Sequence, residues 1–225
     1  MQPPYLVCEF DKKTLSSLVR ERFGDDFPNI HRKRQIQFIY NYLKDLGAAT
    51  VLLESEYVDK DYLEDYSRYY VRCFNRYGER CARLHFFKND FDAEDFQETL
   101  IKNEASSIQA FQDSYLGFIV VKPLPKTFIG KTCLKIYPSF ATKKRKSILS
   151  KKYEVNLFGL NLVIDSIAFQ EQDKIVSACA TTAIWTMFHA QMDSDSKKLP
   201  SCSEITLSAI NCVFCPKVNT DSGLM

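Results

Sequence analysis

At 225 residues, 45% hydrophobic and 26% charged, the chain has the composition of a soluble globular protein and is long enough to bury a full core, in one large domain or two small ones. A formal charge of +2 gives it no general attraction to nucleic acid or to a membrane surface. No apolar run approaches a membrane span, and Met1-Gln2-Pro3-Pro4 lacks the basic and apolar regions of a signal peptide, so the expected location is the cytoplasm.

Tyr5 to Phe10 is a short apolar run of strand type, and Thr14 to Arg22 reads as a helix capped by Thr14, interrupted by Gly24 and Pro28. From Arg32 to Leu46 the residues Ile36, Ile39, Tyr40 and Leu43 share one helix face, and Gly47 marks the end. The basic start of that helix, His31 to Arg34, opposes the macrodipole and reads first as a solvated end, second as a ligand patch. Thr50 to Glu54 is a compact strand. Tyr57 to Phe74 follows with Tyr62, Tyr66, Tyr69, Tyr70 and Phe74, an aromatic set better suited to core packing than to stacking bases, since no basic groove surrounds it.

Arg83 to Phe87 is the next strand, with His85 a structural histidine on one of its sides. Asp92 to Ala105 predicts a helix whose first turn carries Asp92, Glu94 and Asp95, where acidic groups complement the dipole. Tyr115 to Val121 is the strongest strand signal in the chain, ended by Pro123 and Pro125. Lys131 to Tyr137 alternates well enough to be its antiparallel neighbour. Gly130-Lys131-Thr132 is not a phosphate-binding loop, because Pro125 stands where the pattern requires glycine.

Between Ser139 and Lys152 the chain turns polar and basic, with Lys143, Lys144, Arg145, Lys146, Lys151 and Lys152. Such a stretch can meet phosphates, but acidic residues elsewhere balance it, and an exposed loop or hinge is the better expectation. Tyr153 to Phe158 and Leu160 to Ile164 straddle Gly159 as a hairpin. Ser201-x-x-Glu204 is a capping box for a helix running to about Val213. The eight cysteines form no dense framework and fit reduced thiols. Cys212-x-x-Cys215 is the one close pair. A zinc site needs four ligands and no second pair or following histidine accompanies it, so neither a metal nor another cofactor is expected.

Chemistry is suggested by one stretch, Phe169 to Trp185. From Cys179 the apolar residues Ala180, Ala183, Ile184, Met187 and Phe188 recur with the spacing of a buried helix face, which places Cys179 in the first turn. Unpaired N–H groups and the positive end of the macrodipole favour an anion there, the setting in which a cysteine becomes a nucleophile. Gln172 and Gln170 lie seven and nine residues upstream, within reach of the sulfur, where a carboxamide N–H and the Cys179 backbone N–H could hold an oxyanion. By helix position alone Cys179 fits a small apolar residue buried at the start of a core helix better, and with the upstream glutamines counted the two readings are about equal.

A glutamine before a helix-opening cysteine resembles the papain-like cysteine peptidases, especially the bacteriocin-processing, C39-like type, over residues 165–192. The phrase Tyr115 to Pro125 with Ile129 to Thr132 resembles uncharacterised bacterial proteins that carry such a half-domain downstream. The resemblance implies Cys179 as nucleophile, Gln172 or Gln170 as oxyanion donor, a peptide or protein substrate, and a histidine base from the second half of the fold. The chain has three histidines, His31, His85 and His189. The first two precede the cysteine. His189 lies ten residues along the same helix, about 15 Å of axial rise away. The expectation is therefore an α/β or α+β protein in three parts: an α/β N-terminal region (1–138), a basic loop or hinge (139–152) and a papain-like half-domain (153–225). Two alternatives are expected for that half: either the natural chain continues beyond Met225 and supplies the base, or the base is lost and the protein is not a peptidase. The competing class is a non-enzymatic interaction or regulatory module. Neither nucleic acid nor a membrane is an expected partner, and the sequence is silent on oligomeric state.

Overall fold

The computed structural model describes residues 4–21, 29–137, 149–172, 179–191 and 199–214, with residues 212–214 described as backbone only. Five strands lie side by side in chain order: β1 (Tyr5–Glu9), β2 (Thr50–Tyr57), β3 (Cys81–Phe87), β4 (Tyr115–Val121) and β5 (Ile129–Leu134). Each is antiparallel to the next. Antiparallel neighbours need no more than a hairpin between them. Here three of the four connections carry helices instead: α1 (Lys12–Glu21) and α2 (Arg34–Asp45) in the first, α3 (Lys60–Arg68) in the second, α4 (Ala93–Lys102) and α5 (Ala105–Ser114) in the third. The chain is thus of mixed α/β class with antiparallel strands.

Both faces of the sheet are covered, which explains why β4 reads as an unbroken apolar run and why β3 buries even Arg83 and His85. Every residue of the two strands is buried. On one face α1 and α2 bring Leu15, Val19, Ile36 and Leu43 against Val51, Leu84, Phe86 and Ile119. On the other, Phe96, Phe111 and Trp185 join Leu52, Phe87, Phe118 and Val120. The switch between faces within β4 is made by a bulge. Phe86 pairs with Gly117 but Phe87 with Tyr115, so Leu116 is an extra residue. Tyr115 and Phe118 therefore enter one cluster, Leu116 and Ile119 the other.

A separate hairpin, β6 (Lys151–Leu157) and β7 (Leu160–Ser166), turns at Phe158 and Gly159, whose φ values of 50° and 103° are the positive pair that a two-residue type I′ turn demands. Its residues alternate strictly between buried and exposed. Tyr153, Val155, Leu157, Leu160, Leu162 and Ile164 point inward and belong to the same apolar cluster as Leu52 and Phe118 of the large sheet. That cluster crosses the expected boundary at 139–152. Arg83 fastens hairpin to sheet: its guanidinium lies 4.1 Å from the Tyr57 ring, donates to Glu54 Oε2 at 2.8 Å and donates to the Asn156 carbonyl at 2.7 Å.

Several local expectations need correction. The first helix starts at Lys12, and Asp11 rather than Thr14 caps it, accepting the Thr14 N–H at 2.8 Å. The helix expected over 92–105 breaks at Asn103, in the left-handed region at φ 49°, and α5 follows, an element with no strong periodicity to announce it. Tyr62 and Tyr70 are core residues as expected, whereas Phe74 is fully exposed. Lys143 to Lys146 and Cys215 lie outside the described residues, as does the side chain of Cys212, while Lys151 and Lys152 open β6.

The start of α4 is better built than its acidic residues alone required. Asp92 accepts from both Glu94 and Asp95 N–H groups at 2.9 Å, and Asp95 returns a bond to Asp92 N–H at 3.1 Å. Asp92→Ala removes the acceptor for two orphan donors and is expected to cost about 1 kcal/mol in urea unfolding. Asp92→Asn, which keeps an acceptor oxygen, should recover most of that loss; an equal loss in both variants would show that the cap bonds contribute nothing.

Candidate functional site

Beyond β7 the chain stays on the large sheet. Ser166 Oγ donates to the Leu134 carbonyl at 2.7 Å, Thr132 and Phe169 exchange backbone bonds at 2.8 and 3.0 Å, and Glu171 N–H donates to the Ile129 carbonyl at 3.0 Å. Residues 166–171 therefore run antiparallel along the outer edge of β5 as an extended strip. Successive side chains of extended backbone alternate in direction. Gln170 and Gln172 accordingly both meet cysteine thiols, whereas Glu171 meets Gln35 and Ile129.

The two glutamines meet different cysteines. Cys179 Sγ donates to Gln172 Oε1 at 2.9 Å. Gln170 Nε2 donates instead to Cys202 Sγ, also at 2.9 Å. Of the two expected oxyanion donors, only Gln172 is brought to Cys179, and Gln170 is committed to a second thiol. Between them Glu171 accepts from Gln35 Nε2 at 2.6 Å and from Ile129 N–H at 3.2 Å.

Cys179 is the first residue of α6 (Cys179–Gln191) and is exposed, so it is not the small buried core residue that its position also allowed. Among the described cysteines Cys8 and Cys73 are half-buried, and Cys81, Cys133 and Cys202 are buried. The helix face that packs is also not the expected one. Thr181, Thr182, Trp185 and His189 are buried, while Ile184 is 37% and Met187 47% exposed. Apolar residues surround most of this helix, so periodicity offered two faces, and the one carrying the indole, with the largest area to bury, is the one that docks.

Cys202 opens α7 (Cys202–Phe214). The capping box read from the sequence is present: Glu204 N–H donates to Ser201 Oγ at 3.2 Å, and Glu204 Oε2 accepts from Ser201 N–H at 3.0 Å. Burial, reinforced by Asp65 and Asp61, pushes the Cys202 thiol up to about 12. It is a protonated anchor at neutral pH and no nucleophile.

The histidines are placed for structure. His85 is fully buried in β3, with Nδ1 2.9 Å from the Tyr115 hydroxyl and Nε2 3.6 Å from Glu54 Oε2. Burial drives it down to about 4, so it is neutral. His189 stacks on Trp185 at 3.9 Å between ring centroids, and its backbone carbonyl accepts from Tyr153 OH at 3.1 Å. Burial first, then the charges of Lys131, Lys151 and Lys60, lowers its imidazole to about 3. Asp61, 3.9 Å from His189 Nε2, is raised to about 7 by burial and by Asp59. His31 lies exposed in the single 3₁₀ turn Ile30–Arg32. Among the described residues no histidine hydrogen-bonds Cys179.

Protein-family models, curated proteins and solved structures were all compared with the chain, and none matches. Among the described residues no cluster of three or more histidine, cysteine, aspartate or glutamate side chains is arranged to hold a metal ion. No described helix is long and apolar enough to cross a membrane.

Sequence reasoning missed Cys202, Glu171 and Gln35. The capping box already placed Cys202 at a helix start, and the spacing of Gln170 and Gln172 already put Glu171 on the opposite side of any extended segment. What no pattern carried was that residues 166–171 pair with β5, because pairing partners 37 to 42 residues apart leave no local signature.

Proposed function

We propose that this chain carries the nucleophile-bearing half of a papain-like, C39-like cysteine peptidase site, with Cys179 as nucleophile and Gln172 as oxyanion donor. The observation that supports this most is the contact between the exposed Cys179 sulfur, at a helix start, and the Gln172 carboxamide, 2.9 Å apart. A half-turn about the last torsion of Gln172 exchanges its oxygen for its N–H₂, which then faces an oxyanion instead of a thiol. With the Cys179 backbone N–H it makes a two-donor hole. In the reaction the sulfur bonds to the acyl carbon of a peptide or isopeptide bond as the C–N bond breaks, and the amine departs with a proton. Water then hydrolyses the thioester and restores the thiol. The base for these transfers is either missing from this chain or an unexpected histidine; among the described residues no histidine hydrogen-bonds Cys179.

The first test is the rate of iodoacetamide alkylation of each cysteine in the folded protein against pH, read by mass spectrometry. Cys179, the exposed thiol among the described cysteines, is expected to react fastest. In a fluorogenic peptide library, Cys179→Ala should abolish turnover while leaving the unfolding midpoint unchanged, as an exposed side chain allows; turnover that survives the substitution would sink the proposal. A second reading is favoured by the exposed Ile184 and Met187 on α6 and Leu207 and Ile210 on α7, apolar side chains suited to a protein partner. It takes over if Cys179 resists alkylation until the protein unfolds.

A further inference from the structure

Gln172 makes one bond among the described residues, to Cys179, and none to the sheet. Its position is therefore inherited from the residue before it. Glu171 is the last residue of the strip on β5, and it is held from three sides. Its N–H donates to the Ile129 carbonyl, its Oε2 accepts the Ile129 N–H, and its Oε1 accepts from Gln35, which lies 136 residues away in the first turn of α2. In a continued antiparallel ladder the Ile129 N–H would go to the backbone carbonyl of residue 171. The Glu171 carboxylate takes that place, so the ladder closes on a side chain at Glu171. Because α2 packs its buried face on the sheet, the Gln35 amide ties the end of the strip to that layer.

We propose that Glu171 is a positioning residue that holds the Gln172 carboxamide at the Cys179 sulfur, acting through Gln35 and the Ile129 N–H. The assignment rests on the cysteine-nucleophile reading above. Gln170, donating to the buried Cys202 thiol, steadies the same strip one residue earlier. Glu171 is the residue next to Gln172 and the last that bonds to β5.

The test uses the whole chain, with Gln35→Ala, Glu171→Ala and the exchanged pair Gln35→Glu with Glu171→Gln. The exchange moves the carboxylate onto α2 and the amide onto the strip. The amide oxygen at 171 still accepts from Ile129, and its N–H₂ donates across to position 35, so the network is rebuilt with its polarity reversed. One readout is the mobility of the Gln172 side-chain amide by NMR relaxation, which does not depend on chemistry at the sulfur. The other is the pH profile of Cys179 alkylation.

Ordered Gln172 amide signals are expected in the wild type and the exchanged pair, and mobile ones in both alanine variants. With the Gln172 N–H₂ turned toward the thiolate, alkylation of Cys179 is expected to fall about tenfold in the alanine variants, the loss of one hydrogen bond to a charged group, and to recover in the exchanged pair. Rates at Cys8 and Cys73 should not change, which separates positioning from loosening of the fold. A Gln172 amide equally ordered in all four proteins overturns the proposal, as does an exchanged pair no better than the alanine variants. If Gln172 loosens as expected while wild-type Cys179 is inert at every pH, positioning of the amide stands and the nucleophile reading is what fails.

Discussion

Replacing Gly117 by alanine should leave little folded protein at 25 °C. The position has φ 113°, and an added Cβ would lie 2.0 Å from the Cys133 carbonyl oxygen and 2.9 Å from Leu134 Cα, both backbone atoms of the paired strand β5. Nothing there can swing aside. Either β5 separates from β4 or the bulge at Leu116 rearranges, and each exposes buried core on both faces of the sheet. The cost is expected to exceed about 4 kcal/mol, the range reserved for mutations with a specific steric or cavity mechanism. Gly159→Ala is the matched control. Its φ of 103° is similarly unfavourable, but no atom lies within 4 Å of the added Cβ. It should cost only the backbone strain, about 1–2 kcal/mol. Thermal melts of the two variants side by side measure the difference, and equal destabilisation would show that the close approach at β5 is not what demands glycine.

The second large effect is loss of stability in acid. His85 is pushed from an ordinary value of 6.5 to about 4, chiefly by burial. Between those two values the unfolded chain binds a proton that the folded chain refuses, so stability is fully present above pH 6.5 and is lost as pH falls toward 4. A shift of that size corresponds to about 3 kcal/mol. His189, lowered to about 3, adds a contribution of the same sign. Asp61 opposes them: raised to about 7, it keeps a proton in the fold that the unfolded chain releases above about 4, so its contribution weakens as pH rises through that window. With two imidazoles against one carboxyl, the net slope favours neutral pH. Urea unfolding of wild type and His85→Gln at pH 7 and pH 4.5 tests this. The variant should be weaker at pH 7, having lost the fitted contact to Tyr115, yet flatter with pH by close to one proton. Parallel pH dependences would mean that His85 is not the group refusing the proton.

The large sheet owes its antiparallel order to residues whose neighbours in the chain reveal little. Tyr115 to Val121 could be read as a strand because its apolar content is continuous, and the β6–β7 hairpin because burial on one side imposes strict alternation around Phe158 and Gly159. The α5 helix could not, since Phe111 and Ile108 give it too weak a stripe to stand out from the preceding helix. The bulge at Leu116 shifts the side chains of β4 between faces without altering its composition, so its effect appears only once Phe86 and Phe87 are seen on different partners.

At the candidate site the division is similar. The sequence by itself determined that a cysteine opens a helix after two glutamines, and that His189, ten residues along the same helix, is poorly placed to serve it, because helix periodicity and axial rise are local properties of the chain. Tertiary structure decided which face of that helix packs, leaving Ile184 and Met187 outside and Trp185 within. It also decided which glutamine meets which sulfur, and that Glu171 bonds to Gln35 across 136 residues. Those outcomes depend on competition between nearly equivalent local choices: two apolar faces, two carboxamides two residues apart. Long-range burial and edge pairing with β5 settle such competitions, and neither leaves a period in the sequence.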